Sequence, residues 1–323
     1  MSGHKELKIV ALGGGHGLAA TLSALRPITT DITAVVTVAD NGGSSGRLRS
    51  EFNIMPPGDL RMALAALCSD DEWGRSWADI MQYRFTSEGE LNGHPVGNLL
   101  LAALWDRDGD AVAALDRVGE LLKVSGRVLP MAAEALDIEA TFATPSGDVD
   151  VRGQVQVATT QGRLKSLRII PENPHARAEV LSAIADADLI TMGPGSWFSS
   201  VLPHLLVPEL RSALMNSQAK KVLLLNLDAT VGASHPSQVG KGEFAGHTPL
   251  EHLEILESYA PDLHFDFVIA DSTLDGALNL REYLSARKTE LISADLRSEN
   301  EPLHHSVEKL TSLFAHIAKK MLV

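Results

Sequence analysis

Gly13, Gly14, Gly15, His16 and Gly17 form a run in which four of five residues lack a side chain. Glycine adopts positive φ freely and lets a ligand approach the main chain. The residues that follow, LAATLSAL, have helical composition, so the run sits at a helix start. Unpaired N–H groups and a partial positive charge make such a start suitable for phosphate. Gly15 to Ala20 also fits G-x-G-x-x-A, the spacing of dinucleotide-binding turns. The same run would serve as a plain strand-to-helix turn, and His16 either as a phosphate donor or as a surface imidazole.

Four further segments offer similar groups. Asp40-Asn41-Gly42-Gly43-Ser44-Ser45-Gly46-Arg47 reads as a loop of bare amides and hydroxyls, with the planar guanidinium of Arg47 as an anion donor. Pro56-Pro57-Gly58-Asp59-Leu60-Arg61 opens a helix, with Asp59 as its N-cap and Arg61 pointing back over a crevice. Gly93-His94-Pro95-Val96-Gly97-Asn98 precedes LLLAAL, and Asn98 could read a base or sugar or cap loop backbone. Met192-Gly193-Pro194-Gly195-Ser196 reads as a second anion pocket, with the Gly195 N–H and the Ser196 hydroxyl as donors.

Other chemistries are not announced. The chain lacks G-x-x-x-x-G-K-[ST], G-x-S-x-G and H-E-x-x-H, and His235, His247, His252, His304 and His305 have no zinc-site spacing. No nucleophile has a paired base, so no residue is assigned as catalytic and no cofactor is required. Cys68 is the single cysteine, which excludes an intrachain disulfide and a cysteine zinc site and fits a reducing compartment. A net charge of −13 and only 8 Phe, 4 Trp and 3 Tyr argue against nucleic acid as a partner. No stretch approaches the ~20 apolar residues of a membrane span, and the first apolar run is too short for a signal peptide. The expectation is a cytoplasmic protein.

These segments need elements to hold them. KIVAL (8–12), DITAVVTVAD (31–40), DADLITMGPGS (186–196), KKVLLLNLDA (220–229) and FDFVIADS (265–272) read as apolar strands. Helical stretches lie at 205–216, 248–258, 277–287 and 306–320. The alternation predicts an α/β fold with a doubly wound, mostly parallel sheet, spanning 1–323 as one domain. Residues 59–122 read as a helical insertion. Residues 126–170 read as a β-hairpin insertion, in which VQVAT and LKSLRII have strand character. Ligands of such sheets bind at the carboxyl ends of the strands, where all five segments would fall.

Taken together, LGGGHGLAATLSAL, TAVVTVADNGGSSGRLR, PPGDLRMALAAL, QYRF, GHPVGNLLLAAL, GRVLP, MGPGSWFSSVLP and VLLLNL resemble the bacterial gluconeogenesis factors, relatives of 2-phospho-L-lactate transferase. The resemblance runs from residue 9 to about 227 and is looser beyond. It implies a Rossmann-like fold, binding of a UDP-sugar such as UDP-N-acetylglucosamine, and a role in cell shape and wall synthesis on gluconeogenic carbon sources. It also implies nucleotide contacts from Asn226 and from Tyr283. Two stretches depart from the family pattern. Asp228 to Ser234 replaces Pro-Gly-Glu-Thr, and His304-His305-Ser306 replaces Arg-His-Asp. The second change exchanges a permanent charge for a titratable one.

Three functions compete. The first is a nucleotide-sugar-binding regulatory protein that acts on a protein partner; a homodimer is compatible with it. The second is a transferase of phospholactyl type, in which Asp40 and Asp59 hold Mg²⁺ through oxygen. The third is an NAD-dependent oxidoreductase with Asp40 on the ribose, which a D-N-G-G-S-S-G run and the lack of a proton relay disfavour.

Overall fold

The computed structural model describes residues 6–227, 248–274, 277–301 and 303–321. Its elements, in chain order, begin with β1 (Ile9–Gly13), α1 (Gly15–Leu25) and β2 (Ile32–Val36). A run of helices follows: α2 (Gly43–Phe52), α3 (Pro57–Ala66), α4 (Glu72–Gln82), α5 (Val96–Asp108) and α6 (Ala111–Leu122). Next come β3 (Arg127–Pro130), β4 (Asp137–Thr144), β5 (Gly147–Arg152), α7 (Gln154–Thr159) and β6 (Arg163–Ile170). Then follow α8 (Ala178–Asp186), β7 (Leu189–Met192), a π-helical turn (Trp197–Val201), α9 (Pro203–Leu206), α10 (Pro208–Asn216) and β8 (Lys220–Leu224). The described chain closes with α11 (Pro249–Tyr259), β9 (Phe267–Asp271), α12 (Ala277–Ala286), β10 (Glu290–Ala294) and α13 (Val307–Met321).

Seven strands form one parallel sheet in the order β10-β9-β8-β7-β1-β2-β3. Helices cover both faces, so its inner strands are mostly apolar rather than alternating; β1, β7 and β9 are buried at every residue. The chain starts in the middle at β1, runs outward through β2 to β3, then returns to β7 beside β1 and runs outward the other way. The order therefore reverses between β1 and β7, and the carboxyl ends of those two strands open the crevice of such sheets. A three-stranded antiparallel sheet, β5-β4-β6, packs its Phe142 and Leu167 into the same apolar core. Among the described residues no helix is long and apolar enough to cross a membrane.

Four local readings of the sequence change. Gly43 to Arg47 is not a loop but the first half of α2. Glycine and serine are weak helix formers, yet here the Ser44 and Ser45 hydroxyls find buried partners on α5 and α3, and tertiary contacts override propensity. VQVAT is helical, not extended. Gly153, at φ 101, turns the chain out of β5, Val157 N–H bonds back to Gly153, and only Val157 of its two valines is buried. Arg127–Pro130 belongs to the parallel sheet, with Val128 opposite Ala34, rather than to the hairpins. Finally, β10 escaped notice because it is an edge strand with no fully buried residue.

Candidate functional site

The two glycine turns meet at the switch point. A Cβ on Gly17 would stand 2.3 Å from the Pro194 carbonyl oxygen, so α1 lies directly against the 193–195 turn. Thr21 Oγ1 donates to the Gly193 carbonyl at 3.3 Å, and Gly193 N–H bonds to Leu12 O at 3.1 Å. Gly13 ends β1, and its carbonyl accepts from Thr37 N–H at 3.0 Å. Gly13 and Gly17 thus serve close packing. Gly15, at φ +58, makes the turn that starts α1.

Gly14 is covered by a carboxylate. A Cβ there would meet Asp59 Oδ2 at 2.5 Å, Thr37 Cγ2 at 2.6 Å and Ser200 Oγ at 3.1 Å. Asp59 is not the N-cap of α3. Pro56 takes that position, and Asp59 sits in the first turn, where it receives a hydrogen bond from the Gly15 backbone. Its Oδ2 is enclosed and without a hydrogen-bond partner. Burial, and secondarily the charge of Asp40, push the Asp59 carboxyl up to about 7. Asp40 accepts from Gly42 N–H at 2.8 Å through Oδ1, while its Oδ2 faces bare Gly58, 3.0 Å from where a Cβ would be. The two aspartates named in the sequence as metal ligands are therefore neighbours at the first glycine turn.

Arg61 lies two residues beyond Asp59 and is buried. Its Nε donates to Asn98 Oδ1 at 2.9 Å, Asn98 Nδ2 donates to Ser44 Oγ at 3.0 Å, and Ser44 Oγ lies 2.8 Å from His94 Nδ1. Arg61 Nη1 is enclosed and has no hydrogen-bond partner. Burial lowers the guanidinium to about 10, helped by the charge of Arg84 and opposed by that of Asp59. The charge of Arg61 also acts on His16. Ser45 accepts the Gly58 N–H at 3.0 Å and so ties α2 to α3.

In the second turn the expected donors are already engaged. Gly195 N–H donates to Asn226 Oδ1 at 2.8 Å, and Asn226 Nδ2 returns a bond to Gly195 O at 2.7 Å. Asn226 thus grips the turn from the end of β8. Ser196 caps the π-helical turn by accepting from Ser199 N–H at 3.3 Å, and the Ser196 and Ser199 hydroxyls are bonded.

The loop before α13 closes over this edge. The His304 ring stacks on His16 with centroids 5.9 Å apart. Burial, then the neighbouring His304 and Arg61, lower the His16 imidazole below its usual value. His305 is pushed down to about 4 by burial, against a hydrogen bond to the Leu225 backbone. His304 stood out in the sequence as a departure from a family pattern and as one of the histidines without zinc-site spacing. His94, Thr37 and Ser200 gave no signal of their own.

Several named residues stand elsewhere. Asn41, Gly43 and Arg47 line a separate groove of about 800 Å³ between α2 and the 90–99 segment. Arg47 is spent there on the carbonyls of Glu90 and Asn92, at 3.0 and 2.7 Å. Gly42 is the residue before α2 and donates to Asp40. Tyr283 lies in α12, under the Arg287 guanidinium at 3.5 Å. Buried His252 stacks on Trp197 at 4.9 Å. Asp228 to Ser234, His235 and His247 fall outside the described residues. Among the described residues no three His, Cys, Asp or Glu side chains are grouped to hold a metal.

The comparisons agree with this architecture. A family model described as 2-phospho-L-lactate transferase CofD matches residues 9–312. A Mycobacterium tuberculosis (strain H37Rv) protein named "Putative gluconeogenesis factor" is 49% identical over 304 residues, 92% of this chain and 86% of that protein. The Bacillus subtilis (strain 168) protein named "Gluconeogenesis factor" is 34% identical over 328 residues, covering 97% of this chain and 98% of its own. The crystal structure of a UPF0052-family protein from Bacillus halodurans superposes with a TM-score of 0.82 at 31% identity, covering 96% of this chain and 99% of that one. With the matched region spanning both glycine turns, Asp59, Arg61 and His304, this chain belongs to the CofD family, among relatives named as gluconeogenesis factors.

Proposed function

We propose that this protein binds a nucleotide sugar of the UDP-N-acetylglucosamine kind by its diphosphate, in the crevice between β1 and β7. On this reading it acts through a protein partner as a regulatory gluconeogenesis factor, needed for cell shape and wall synthesis on gluconeogenic carbon sources. The observation that carries the reading is the meeting of the first glycine turn and the Pro194–Gly195 turn at one switch point, with the enclosed, unmet Nη1 of Arg61 on the same helix that carries Asp59 against Gly14. An arginine donor with no partner is costly to bury and suits a phosphate oxygen. The relatives' names support the gluconeogenic setting. Calorimetry with UDP-N-acetylglucosamine, UDP-glucose and GDP tests it. Binding of a UDP-sugar supports it, and no heat with any of the three refutes it.

A second reading is favoured by Asp59 itself. A carboxylate already occupies Gly14, so a phosphate arriving there needs that charge neutralised. The orphaned Asp59 Oδ2 beside Asp40 fits Mg²⁺, which takes few carboxylates and prefers oxygen. Bound there, Mg²⁺ would offset charge on a diphosphate, as a phospholactyl-type transfer requires. Under this reading Arg61 would orient the phosphates and the 193–195 turn would limit water. If Asp40→Asn leaves Mg²⁺-dependent nucleotide binding unchanged, the transferase reading is lost.

A further inference from the structure

We infer that Asn98, Ser44 and His94 are positioning residues that aim Arg61, rather than ligand contacts in their own right. The inference rests on the reading that the switch-point crevice takes a phosphate-bearing ligand.

The geometry of the line fixes its direction. Arginine can only donate, so Asn98 must present its carbonyl oxygen to Arg61 Nε. Its amide then faces Ser44 and donates to Oγ. The Ser44 proton is left for His94 Nδ1, which makes His94 the acceptor and places its own proton on Nε2. One arginine thereby sets the orientation of an amide, a hydroxyl and an imidazole contributed by α5, α2 and the segment before α5. All four side chains are buried.

The stem of Arg61 is placed by a second device. A Cβ on Gly97 would stand 2.8 Å from Arg61 Cγ, 2.9 Å from its Cδ and 2.7 Å from Met81 Cε. The arginine runs across the bare face of that glycine, and Asn98, the next residue, holds its Nε. Gly97 and Asn98 are one clamp at the start of α5. With Nε tied to Asn98 and the stem laid along Gly97, the guanidinium is held in one orientation.

The experiment combines two readouts on the full chain. The first is a double-mutant cycle on UDP-N-acetylglucosamine affinity with Asn98→Leu, Arg61→Lys and both together, alongside Asn98→Asp. We expect Asn98→Leu alone to weaken binding roughly tenfold. It should add nothing on the Arg61→Lys background, and Asn98→Asp, which keeps an acceptor for Nε, should restore most of the affinity. Full additivity of the two losses would mean that Asn98 touches the ligand itself and would overturn the inference. The second readout is ¹⁵N NMR of histidine-labelled protein, with His94 assigned by its own substitution. It should show a neutral ring protonated on Nε2, and this signature should change in Ser44→Ala and in Asn98→Leu. A ring protonated on Nδ1, or one indifferent to both substitutions, would also overturn it. If wild type binds none of the nucleotides, the functional reading fails by itself and the NMR still decides the line.

Discussion

Asp59 occupies the space that a side chain at Gly14 would fill: the missing Cβ lies 2.5 Å from its Oδ2. The turn that the sequence offers to a phosphate is thus lined by the protein's own carboxylate. Gly14→Ala should displace Asp59, Thr37 and Ser200 together. We expect a loss of about 1–3 kcal/mol of stability, as for overpacking in a core, and loss of nucleotide binding. Chemical denaturation with calorimetry checks both.

Asp59 also sets a pH dependence. Its carboxyl titrates at about 7 in the folded chain against 3.8 ordinarily, so the folded state holds a proton that the unfolded state releases. That contribution is fully present below pH 3.8, fades as pH rises toward 7, and is absent above. Asp59→Asn removes the titration and keeps an acceptor for Gly15. The variant should be more stable than wild type at pH 8, by on the order of 1–3 kcal/mol. Equal stability at pH 8 would contradict the assignment.

Magnesium should act on the same pair. If Asp40 and Asp59 hold it, Mg²⁺ at pH 8 raises the melting temperature of wild type but not of Asp40→Asn or Asp59→Asn. Differential scanning fluorimetry with and without the ion is sufficient.

The Asn226–Gly195 pair is reciprocal, one bond in each direction. Asn226→Asp keeps the acceptor for Gly195 N–H but sets a carboxylate oxygen against the Gly195 carbonyl. It should therefore be no milder than Asn226→Ala, each costing about 1–3 kcal/mol. An aspartate as stable as wild type would show that only one of the two bonds matters.

His204 gives the acid limb. It lies buried beneath the sheet, bonded through Nε2 to Val35 O at 3.1 Å, and burial lowers it to about 4. Its stabilising share is complete above pH 6.5 and is lost as pH falls toward 4. His204→Gln should flatten the stability profile over that interval, read from urea midpoints at successive pH values.

Much of the framework was legible because it depends on local pattern. Apolar runs such as KIVAL and FDFVIA read as buried parallel strands, and the glycine turns after β1 and β7 announced the switch point. What the sequence did not show shares a cause. Ser44 and Asn98 have the chemistry of ligand residues, yet distant helices use that chemistry internally. The Gly195 amide is claimed by Asn226, thirty-one positions away. VQVAT has strand composition but is bent by Gly153 and packed as a helix. Which partner a polar group finds is decided by tertiary placement, and no spacing records it.

The His16–His304 stack joins the loop before α13 to the opening turn of α1, and α13 packs on α1 besides. What the ribosome makes near the start of the described chain is therefore roofed by what it makes near the end. The His16–His304 contact can form only after residues 303–321 have emerged, so a nascent chain stalled before that point would hold both glycine turns without it.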